Sequence, residues 1–413
     1  MKLSRNSSVP VKYILVDFNC SREYTHHAEY LRAFANHFRN MSLDYEVWIN
    51  RAADSEVQVF LGEHPVLPIL NSLDYSFKRN ENFLAFLLNK IMNGLVSKAN
   101  SLAFPFRMKE KFLSLLVRLL TLSAFNKLKL QIQSHKKIVI IFPSTDGLAL
   151  RFVNQVTEVF SERLAVSMRL IGAETRGVLR VDNSHTFVKE LLDGGIDLRI
   201  GWEVNSMREK LLESGIRPEL LYWSPIPTTS IPHLCSHDLD RITFGFLGSA
   251  RKNKGFSTIP RIISSLQSLN FRFLVQEANF EWDGYSETLK ELRVLNGNVK
   301  LLPGAASNQE LNQALSECSV LILPYEEGSY RFAGSGIMYQ AANLGIPIYC
   351  TEGVGFDWDV KNFGIGSTFN GLNELRSLII SFQADNYCQN IENYNLARNR
   401  ASSEFIRRTQ SEN

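Results

Sequence analysis

Residues 242–255 read ITFGFLGSARKNKG, an apolar segment followed by a glycine-containing loop with three basic side chains. The apolar residues 242–247 predict a buried strand of a parallel sheet, and Pro260 predicts the first turn of a helix beyond the loop. In open parallel sheets, ligands bind outside the carboxyl ends of the strands. The segment therefore predicts a Rossmann-like α/β domain with an anion site after one strand; a solvated basic turn is the alternative.

The same alternation of strand and helix continues toward the C-terminus. Apolar runs predict further strands at residues 273–276, 299–302, 320–323 and 346–350. A capping box at residues 307–310 begins one of the intervening helices, and Gly345 ends another. About five such strand–helix units predict a doubly wound domain.

A second set of strands lies on the N-terminal side of that loop. Strands are predicted at residues 13–16, 45–49, 138–142, 164–171, 198–202 and 220–223, and helices at 26–38, 147–160 and 206–214. Residues 52–135 interrupt this alternation with two apolar and basic stretches, so a helical insertion is expected there. Prolines at positions 225, 227 and 232 predict a linker between the two α/β halves.

The bulk composition narrows the class of protein. The chain has 413 residues, 45% of them hydrophobic, which is enough for two globular domains. A formal net charge of +3 and the lack of a nucleic-acid-binding motif give no reason to expect a nucleic-acid partner. Five cysteines without metal-ligand spacing indicate a reducing compartment. No signal pattern follows Met1, and no run of about 18 apolar residues occurs, so a cytoplasmic location is expected.

Three segments of the C-terminal half resemble the donor domain of the GT-B glycosyltransferases, in the large retaining group called glycosyltransferase group 1 and close to family 4. These segments read FLGSARKNKGF (246–256), VKLLPGAASNQELNQALSECSVLILPY (299–325) and SGIMYQAANLGIPI (335–348). The resemblance implies an α/β protein of the GT-B fold, with two Rossmann-like doubly wound domains facing a cleft. It assigns 1–230 to an acceptor-binding domain with the insertion at 52–135, 236–385 to a nucleotide-sugar-binding domain, and 386–413 to a helix that returns to the first domain.

The resemblance also implies a reaction. A glycosyl group would move from a nucleoside diphosphate sugar, the co-substrate, to a hydroxyl of a glycan or lipid-linked acceptor in the synthesis of a surface polysaccharide or glycoconjugate. No cofactor is expected. No metal is expected either, because no Asp-x-Asp pair follows a predicted strand, and a helix dipole with basic side chains can balance the leaving diphosphate.

The expected donor-binding residues are Gly248, Arg251, Lys254, Tyr325, Ser335, Gly336 and Gln340. The resemblance assigns the diphosphate to Arg251 and Lys254, whose charges suit phosphate oxygens. Ser335 and Gly336 begin a predicted helix, whose free N–H groups attract an anion. Gln340 can hydrogen-bond a ribose or sugar hydroxyl. A tight helix entry without a ligand and a surface glutamine are the structural alternatives.

Three positions of the family pattern differ in this chain. The two glutamates of the family's Glu-x7-Glu motif are Phe332 and Gln340 here, and the arginine that follows the loop glycine is Ser249. The retaining mechanism is therefore in question. A catalytically silent subunit that binds a sugar nucleotide or a partner glycosyltransferase, an inverting transfer and a sugar-nucleotide epimerisation are the alternatives.

The N-terminal half contributes candidate catalytic and acceptor-binding residues. His26 and His27 follow the first predicted strand, and histidine is the natural general base near neutral pH. Asp146, Glu174 and Arg176 follow two further strands and are expected to contact the acceptor. Solvated histidines at a helix start, an aspartate that caps a helix, and a mutual Glu–Arg pair are the structural alternatives.

One stretch of the chain is unusually basic. Residues 83–137 contain ten lysines and arginines against one acid, Glu110, with leucines at helical spacing. The leucines belong either to the core of a helical pair or to a surface that contacts an anionic membrane. The second interpretation predicts peripheral association with the inner face of a membrane.

Overall fold

A computed structural model describes residues 11–18, 20, 26–51, 53, 55–70, 106–135, 137–145, 147–170, 184–227, 242–267, 269, 271–277, 282–295, 298–303, 308–383 and 387–407. The chain forms two compact units. Unit 1 comprises Met1–Trp202, Arg208–Ser224 and Ser403–Asn413, and unit 2 comprises Glu203–Met207 and Pro225–Ser402.

Unit 1 is built on a parallel sheet. Its described strands are β1 (Val11–Asp17), β2 (Tyr45–Asn50), β3 (Val66–Leu70), β4 (Lys137–Phe142), β5 (Leu164–Leu170), β6 (Asp197–Trp202) and β7 (Leu221–Trp223). Across the sheet they follow the order β3-β2-β1-β4-β5-β6-β7, and each neighbouring pair is parallel. The order reverses between β1 and β4, the position at which an open α/β sheet leaves a crevice for a ligand.

Helices cover this sheet. The described helices are α1 (His26–Asn40), α2 (Ser55–Leu61), α3 (Phe106–Ser134), α4 (Gly147–Phe160), α5 (Ser184–Asp193) and α6 (Asn205–Glu213). The first residues of α6 are assigned to unit 2 and the rest to unit 1. The helical periodicity of α1 places Leu31, Phe34 and Phe38 on one buried face, against Leu15 and Ile141 of the sheet. Burial on both faces explains why β4 is a continuous apolar run.

The prediction that residues 52–135 form a helical insertion is partly wrong. The α/β alternation continues through α2 and β3, and β3 pairs with β2 as an ordinary parallel strand. Pro68 lies inside β3, and a proline is compatible with a strand only where its missing N–H is not needed, as at a sheet edge. β3 is an edge strand of the described sheet, so its position permits the proline.

Unit 2 repeats the architecture. Its described strands are β8 (Thr243–Phe246), β9 (Arg272–Gln276), β10 (Val299–Leu302), β11 (Val320–Leu323), β12 (Ile348–Thr351) and β13 (Gly366–Phe369). They form a parallel sheet in the order β10-β9-β8-β11-β12-β13. The reversal falls between β8 and β11, so the segments after these two strands flank the ligand crevice expected of such a sheet.

The described helices of unit 2 are α7 (Ile259–Ser264), α8 (Tyr285–Val294), α9 (Asn308–Ser316), α10 (Glu327–Tyr330), α11 (Gly336–Asn343), α12 (Asp357–Phe363), α13 (Leu372–Ile380) and α14 (Cys388–Arg407). Ile259, Ile262 and Ile263 of α7 pack on the strands β8 and β9 through Phe244 and Phe273. The last residues of α14 belong to unit 1.

The prediction of two parallel-sheet α/β domains is confirmed. Sequence reasoning missed β13 and the helices α5, α10, α12 and α13. The capping serine predicted at position 307 lies outside the described residues. None of the described helices is both long and apolar enough to cross a bilayer.

Candidate functional site

The loops after β8 and β11 are neighbours because the two strands are. Val320 pairs with Phe244 and Leu321 with Gly245 in parallel register, so both strands end at the same edge of the sheet. The basic loop at residues 247–255 and the segment that begins at Pro324 therefore leave the sheet side by side.

Two contacts join these segments directly. The backbone N–H of Glu326 donates a hydrogen bond to the carbonyl oxygen of Asn253, at 3.0 Å. Gly255 has φ of +72° and lies against the carbonyl of Pro324 so closely that a Cβ atom would overlap it. Only glycine meets both requirements, so its place in the loop has a packing reason.

Three polar side chains converge on the backbone at Gly248. This glycine has φ of +111°, and its N–H donates to Oε1 of Gln276 at 2.7 Å. A Cβ atom placed on Gly248 would lie 3.6 Å from Lys254 Nζ and 3.9 Å from the hydroxyl of Tyr325. The glycine thus leaves an open backbone position with an ammonium group and a phenol on its side.

Lys254 is partly buried, and burial disfavours its charged form. Burial lowers the pKa of Lys254, the neighbouring Tyr330 raises it, and the charge of Arg251 lowers it further. The ammonium lies 5.2 Å from the ring centre of Tyr325, on its face. Arg251 itself is exposed. A bound anion would therefore stabilise the charged form of this lysine more than that of an exposed lysine.

The hydroxyl groups of Tyr325 and Ser335 are buried, and their hydrogen-bonding capacity is not satisfied. Tyr325 is 3% exposed and Ser335 is 4% exposed. Neither hydroxyl makes a hydrogen bond of good geometry in the described part of the chain, although the two lie close enough to interact with each other. Burial raises the pKa of Tyr325 to about 12, while the nearby hydroxyl of Ser335 and the charge of Arg251 act in the opposite direction. Two unpaired buried hydroxyls are a cost that a bound acceptor group would remove.

Aromatic packing holds the Tyr325 ring in place. Its centre lies 4.5 Å from that of Tyr330 and 5.7 Å from that of Phe356. Because the ring is clamped, the hydroxyl is presented at one position rather than sampling several.

The start of α11 is built differently from the sequence expectation. Ser335 occupies the N-cap position as predicted, but its side chain makes no capping hydrogen bond. A Cβ atom on Gly334 would overlap the buried carboxyl group of Glu203, whereas one on Gly336 would meet nothing within 4 Å. A side chain at position 334 would thus displace the carboxyl group of Glu203, whereas open space remains at Gly336. Gln340 lies one turn further along α11 and is partly exposed.

These groups form a site suited to an anion. An ammonium, two unpaired hydroxyls and the N-terminal turn of an eight-residue helix surround the carboxyl ends of β8 and β11. All of them donate hydrogen bonds or positive potential, which is what a phosphate oxygen accepts.

A second arrangement lies in unit 1, at the carboxyl end of β1. Nδ1 of His27 is 2.9 Å from Oδ2 of Asp17, the last residue of β1. Asp17 is 1% exposed, and the side chain of His27 is 12% exposed. A carboxylate that accepts from Nδ1–H orients the ring and leaves proton uptake to Nε2. Sequence reasoning missed Asp17, although an aspartate that ends an apolar strand was a visible signal.

Comparisons with known proteins bear on the fold. No protein-family model matches the chain, and no curated protein matches it in sequence. Solved structures do match. The Anabaena protein HepE in complex with UDP and glucose is similar with 13% identity and a TM-score of 0.60, over 97% of this chain and 99% of that one. The lipopolysaccharide outer core galactosyltransferase WaaB is similar with 11% identity and a TM-score of 0.58, over 97% and 99%.

A third such structure is the sucrose-phosphate synthase of Thermosynechococcus elongatus, with 12% identity, a TM-score of 0.58 and coverage of 97% of each chain. The chain has the GT-B fold. Within the GT-B fold, the predicted residues Gly248, Lys254, Tyr325 and Ser335 come together in unit 2, with Arg251 exposed beside them.

Four other predicted residues cannot be placed. Asp146, Glu174 and Arg176 lie outside the described residues, as does the side chain of His26, whose backbone begins α1. Their proposed contacts with an acceptor, and a catalytic role of His26, stay predictions. In the described part of the chain, no group of three or more His, Cys, Asp or Glu side chains could hold a metal ion.

Proposed function

We propose that this protein is a glycosyltransferase that takes its sugar from a nucleoside diphosphate donor bound to unit 2. The observation that carries the proposal is the pair of unsatisfied hydroxyls, Tyr325 and Ser335, beside the partly buried ammonium of Lys254. A diphosphate has the acceptors and the negative charge that these groups lack. A sugar alone has acceptor oxygens but lacks the negative charge.

The donor nucleotide is proposed from the structural neighbours. HepE has been solved with UDP and with UDP-glucose, so a uridine nucleotide is the first candidate. In this assignment Lys254 and Arg251 balance the charge of the leaving diphosphate, and the N-terminal turn of α11 adds its dipole. The reaction would then need no divalent metal, and EDTA would leave the rate of transfer unchanged.

The proposed catalytic base is His27, positioned by Asp17. Nε2 of His27 would take the proton of the acceptor hydroxyl while the oxygen attacks the anomeric carbon and the bond to the diphosphate breaks. A base on the acceptor side and an apolar Phe332 in place of a carboxylate favour one direct displacement, which inverts the anomeric centre. Product anomer analysis by NMR tests this step, since a retained configuration would exclude it.

The acceptor is proposed to be a glycan or a lipid-linked saccharide of a surface polysaccharide or glycoconjugate. A cytoplasmic location fits the buried thiols of Cys318 and Cys350, because oxidising compartments favour disulfides. A silent subunit is the competing function, suggested by Phe332 and Gln340 in the glutamate positions. Donor hydrolysis or transfer by the purified chain distinguishes the two.

The binding proposal is tested by calorimetry with UDP and uridine. Arg251→Ala with Lys254→Ala should weaken UDP binding by at least about 3 kcal/mol, since each charge-assisted bond contributes about 1.5–3 kcal/mol. Uridine binding should change little. The control is Lys290→Ala with Arg376→Ala, two exposed cations elsewhere in unit 2. An equal loss for UDP and uridine would exclude the diphosphate assignment.

A further inference from the structure

The outward face of α3 carries an apolar stripe. Leucines 115, 119, 122 and 130 are 57%, 59%, 54% and 62% exposed. On the opposite side of the same helix, Val117, Thr121, Ala124 and Leu128 are buried. At about 100° per residue, the four leucines fall within an arc of about 80°, centred opposite the buried face.

The inward face of α3 is firmly packed, so the stripe is not an unformed part of the core. The carbonyl of Ser114 accepts a hydrogen bond from Nε2 of Gln155 at 2.9 Å. The ring of Phe125 lies 5.3 Å from that of Phe160, centre to centre. An amphipathic helix on a globular unit normally presents polar side chains to water where these leucines stand.

Basic side chains flank the stripe on both sides. Arg118 and Lys129 are exposed along one edge. On the other edge Arg51 donates a hydrogen bond from Nη2 to the hydroxyl of Ser123, at 2.6 Å. Residues 114–134 include no aspartate or glutamate. The surface therefore combines four exposed leucines, and the exposed Asn126 among them, with positive charge at its rims over a length of about 22 Å.

We propose that this face of α3 binds the surface of an anionic lipid bilayer, with the helix lying parallel to the membrane plane. Leucines in the middle suit the boundary between headgroups and acyl chains, and flanking cations suit anionic headgroups. The centre of a protein interface is typically enriched in aromatic residues and methionine, whereas the exposed apolar residues of this stripe are all leucines. The docking surface is independent of the proposed transfer reaction, although a lipid-linked acceptor would lie at the same boundary.

The test is cosedimentation of the full chain with vesicles. One set is phosphatidylcholine alone, and the other is an equimolar mixture of phosphatidylcholine and phosphatidylglycerol. The wild-type chain should bind the mixed vesicles at low salt and bind the neutral ones weakly. Binding should weaken as salt rises, because the screening length falls from about 10 Å at 0.1 M to about 3 Å at 1 M.

Two triple variants separate the apolar and the ionic contributions. Leu115→Ser, Leu119→Ser and Leu122→Ser together should lower binding about tenfold or more at any salt concentration. Arg51→Gln, Arg118→Gln and Lys129→Gln together should lower it about a hundredfold at low salt, since each cation contributes about fivefold before screening. The charge control is Lys290→Gln with Arg376→Gln and Arg400→Gln, and the apolar control is Val294→Ser with Ile380→Ser, all exposed in unit 2.

Loss of binding in the two test variants but not in the controls supports the proposal. Equal binding to neutral and anionic vesicles overturns it, as does unchanged binding of the leucine variant. If gel filtration instead finds a dimer that the leucine variant dissociates, without vesicle binding, the face is a contact between two copies and the proposal fails. UDP titration of the same variants shows separately whether the donor site is intact.

Discussion

At the scale of single residues, the decisive feature is a buried hydroxyl, that of Tyr325, without a hydrogen bond of good geometry. The Tyr325 phenol is buried among Tyr330 and Phe356, and a buried donor without a partner costs about 1–3 kcal/mol. Folding alone gives no reason to prefer tyrosine over phenylalanine there. The unsatisfied group is what the proposed diphosphate would bind, as is the equally buried hydroxyl of Ser335.

Tyr325→Phe should separate stability from binding. Without the orphaned hydroxyl, the free energy of unfolding should stay the same or rise by up to about 1 kcal/mol. Affinity for UDP should fall about tenfold, because a hydrogen bond to a charged phosphate is lost. Denaturant titration and calorimetry measure the two quantities.

Tyr222→Phe is the matched control, since the Tyr222 hydroxyl donates to the Glu219 carbonyl at 2.8 Å in unit 1. That change should lower stability slightly and leave UDP binding unchanged. If Tyr325→Phe instead destabilised the protein and kept full affinity, the hydroxyl would have a purely structural role.

Lys254 predicts a pH dependence of donor binding. Burial lowers its pKa below that of an ordinary lysine, so its charge is lost at a lower pH than usual. A diphosphate binds the protonated form, and UDP affinity should therefore fall as pH rises through this lowered pKa. Below it, affinity should be constant. Calorimetry at a series of alkaline pH values measures the curve.

Lys254→Arg is the test of that assignment. Arginine stays protonated throughout the accessible range, so the alkaline fall in affinity should disappear even if the affinity itself changes. A fall that persists in the arginine variant would assign the titration to another group.

At the scale of secondary-structure elements, the site depends on how two loops are held together. The segments after β8 and β11 meet because their strands are neighbours, and Gly255 allows the close approach to Pro324. The position of Lys254 relative to Tyr325 follows from this contact rather than from either loop alone.

Gly255→Ala should therefore damage both stability and binding. The residue has φ of +72°, which is strained for alanine, and the new methyl group would meet the Pro324 carbonyl. We expect a loss of more than about 2 kcal/mol in the free energy of unfolding and weaker UDP binding. Gly328→Ala is the control, since a Cβ atom there meets nothing within 4 Å. Equal stability of the two variants, by denaturant titration, would contradict the packing argument.

At the scale of the whole molecule, Arg398 joins distant parts of unit 2. The side chain is fully buried on α14. Its guanidinium donates to the Ile226 carbonyl at 2.9 and 2.6 Å, and to Asn343 and Asn395 side chains at 2.9 and 2.8 Å. The ring of Tyr339 lies 4.7 Å from it. One side chain thus anchors the last helix to the segment that enters unit 2 and to the end of α11.

Arg398→Lys should destabilise the protein by about 3 kcal/mol or more. An ammonium cannot satisfy these acceptors with the geometry of a planar guanidinium, and breaking a buried charged network is costly. Arg376→Lys, on the exposed side of α13, should have little effect. Unfolding monitored by calorimetry measures both. Equal unfolding temperatures for the two variants would mean that the network around Arg398 contributes little.

The sequence by itself determined the class of fold. Apolar runs such as residues 138–142 and 320–323 indicate buried parallel strands, since only strands covered on both faces are apolar throughout. The glycine and basic residues at 248–255 predict an anion site at one strand end. These signals are local, because they depend on propensity and periodicity within a few residues.

Only the tertiary structure decided how the site is assembled. The pairing of β8 with β11 brings together residues that are far apart along the chain. Lys254 and Tyr325, for example, are 71 positions apart in the sequence. The missing cap at Ser335, the Asp17 partner of His27 and the edge strand around Pro68 depend in the same way on neighbours distant in sequence. A side chain's burial and its hydrogen-bond partners are properties of the packed chain, and no local pattern contains them.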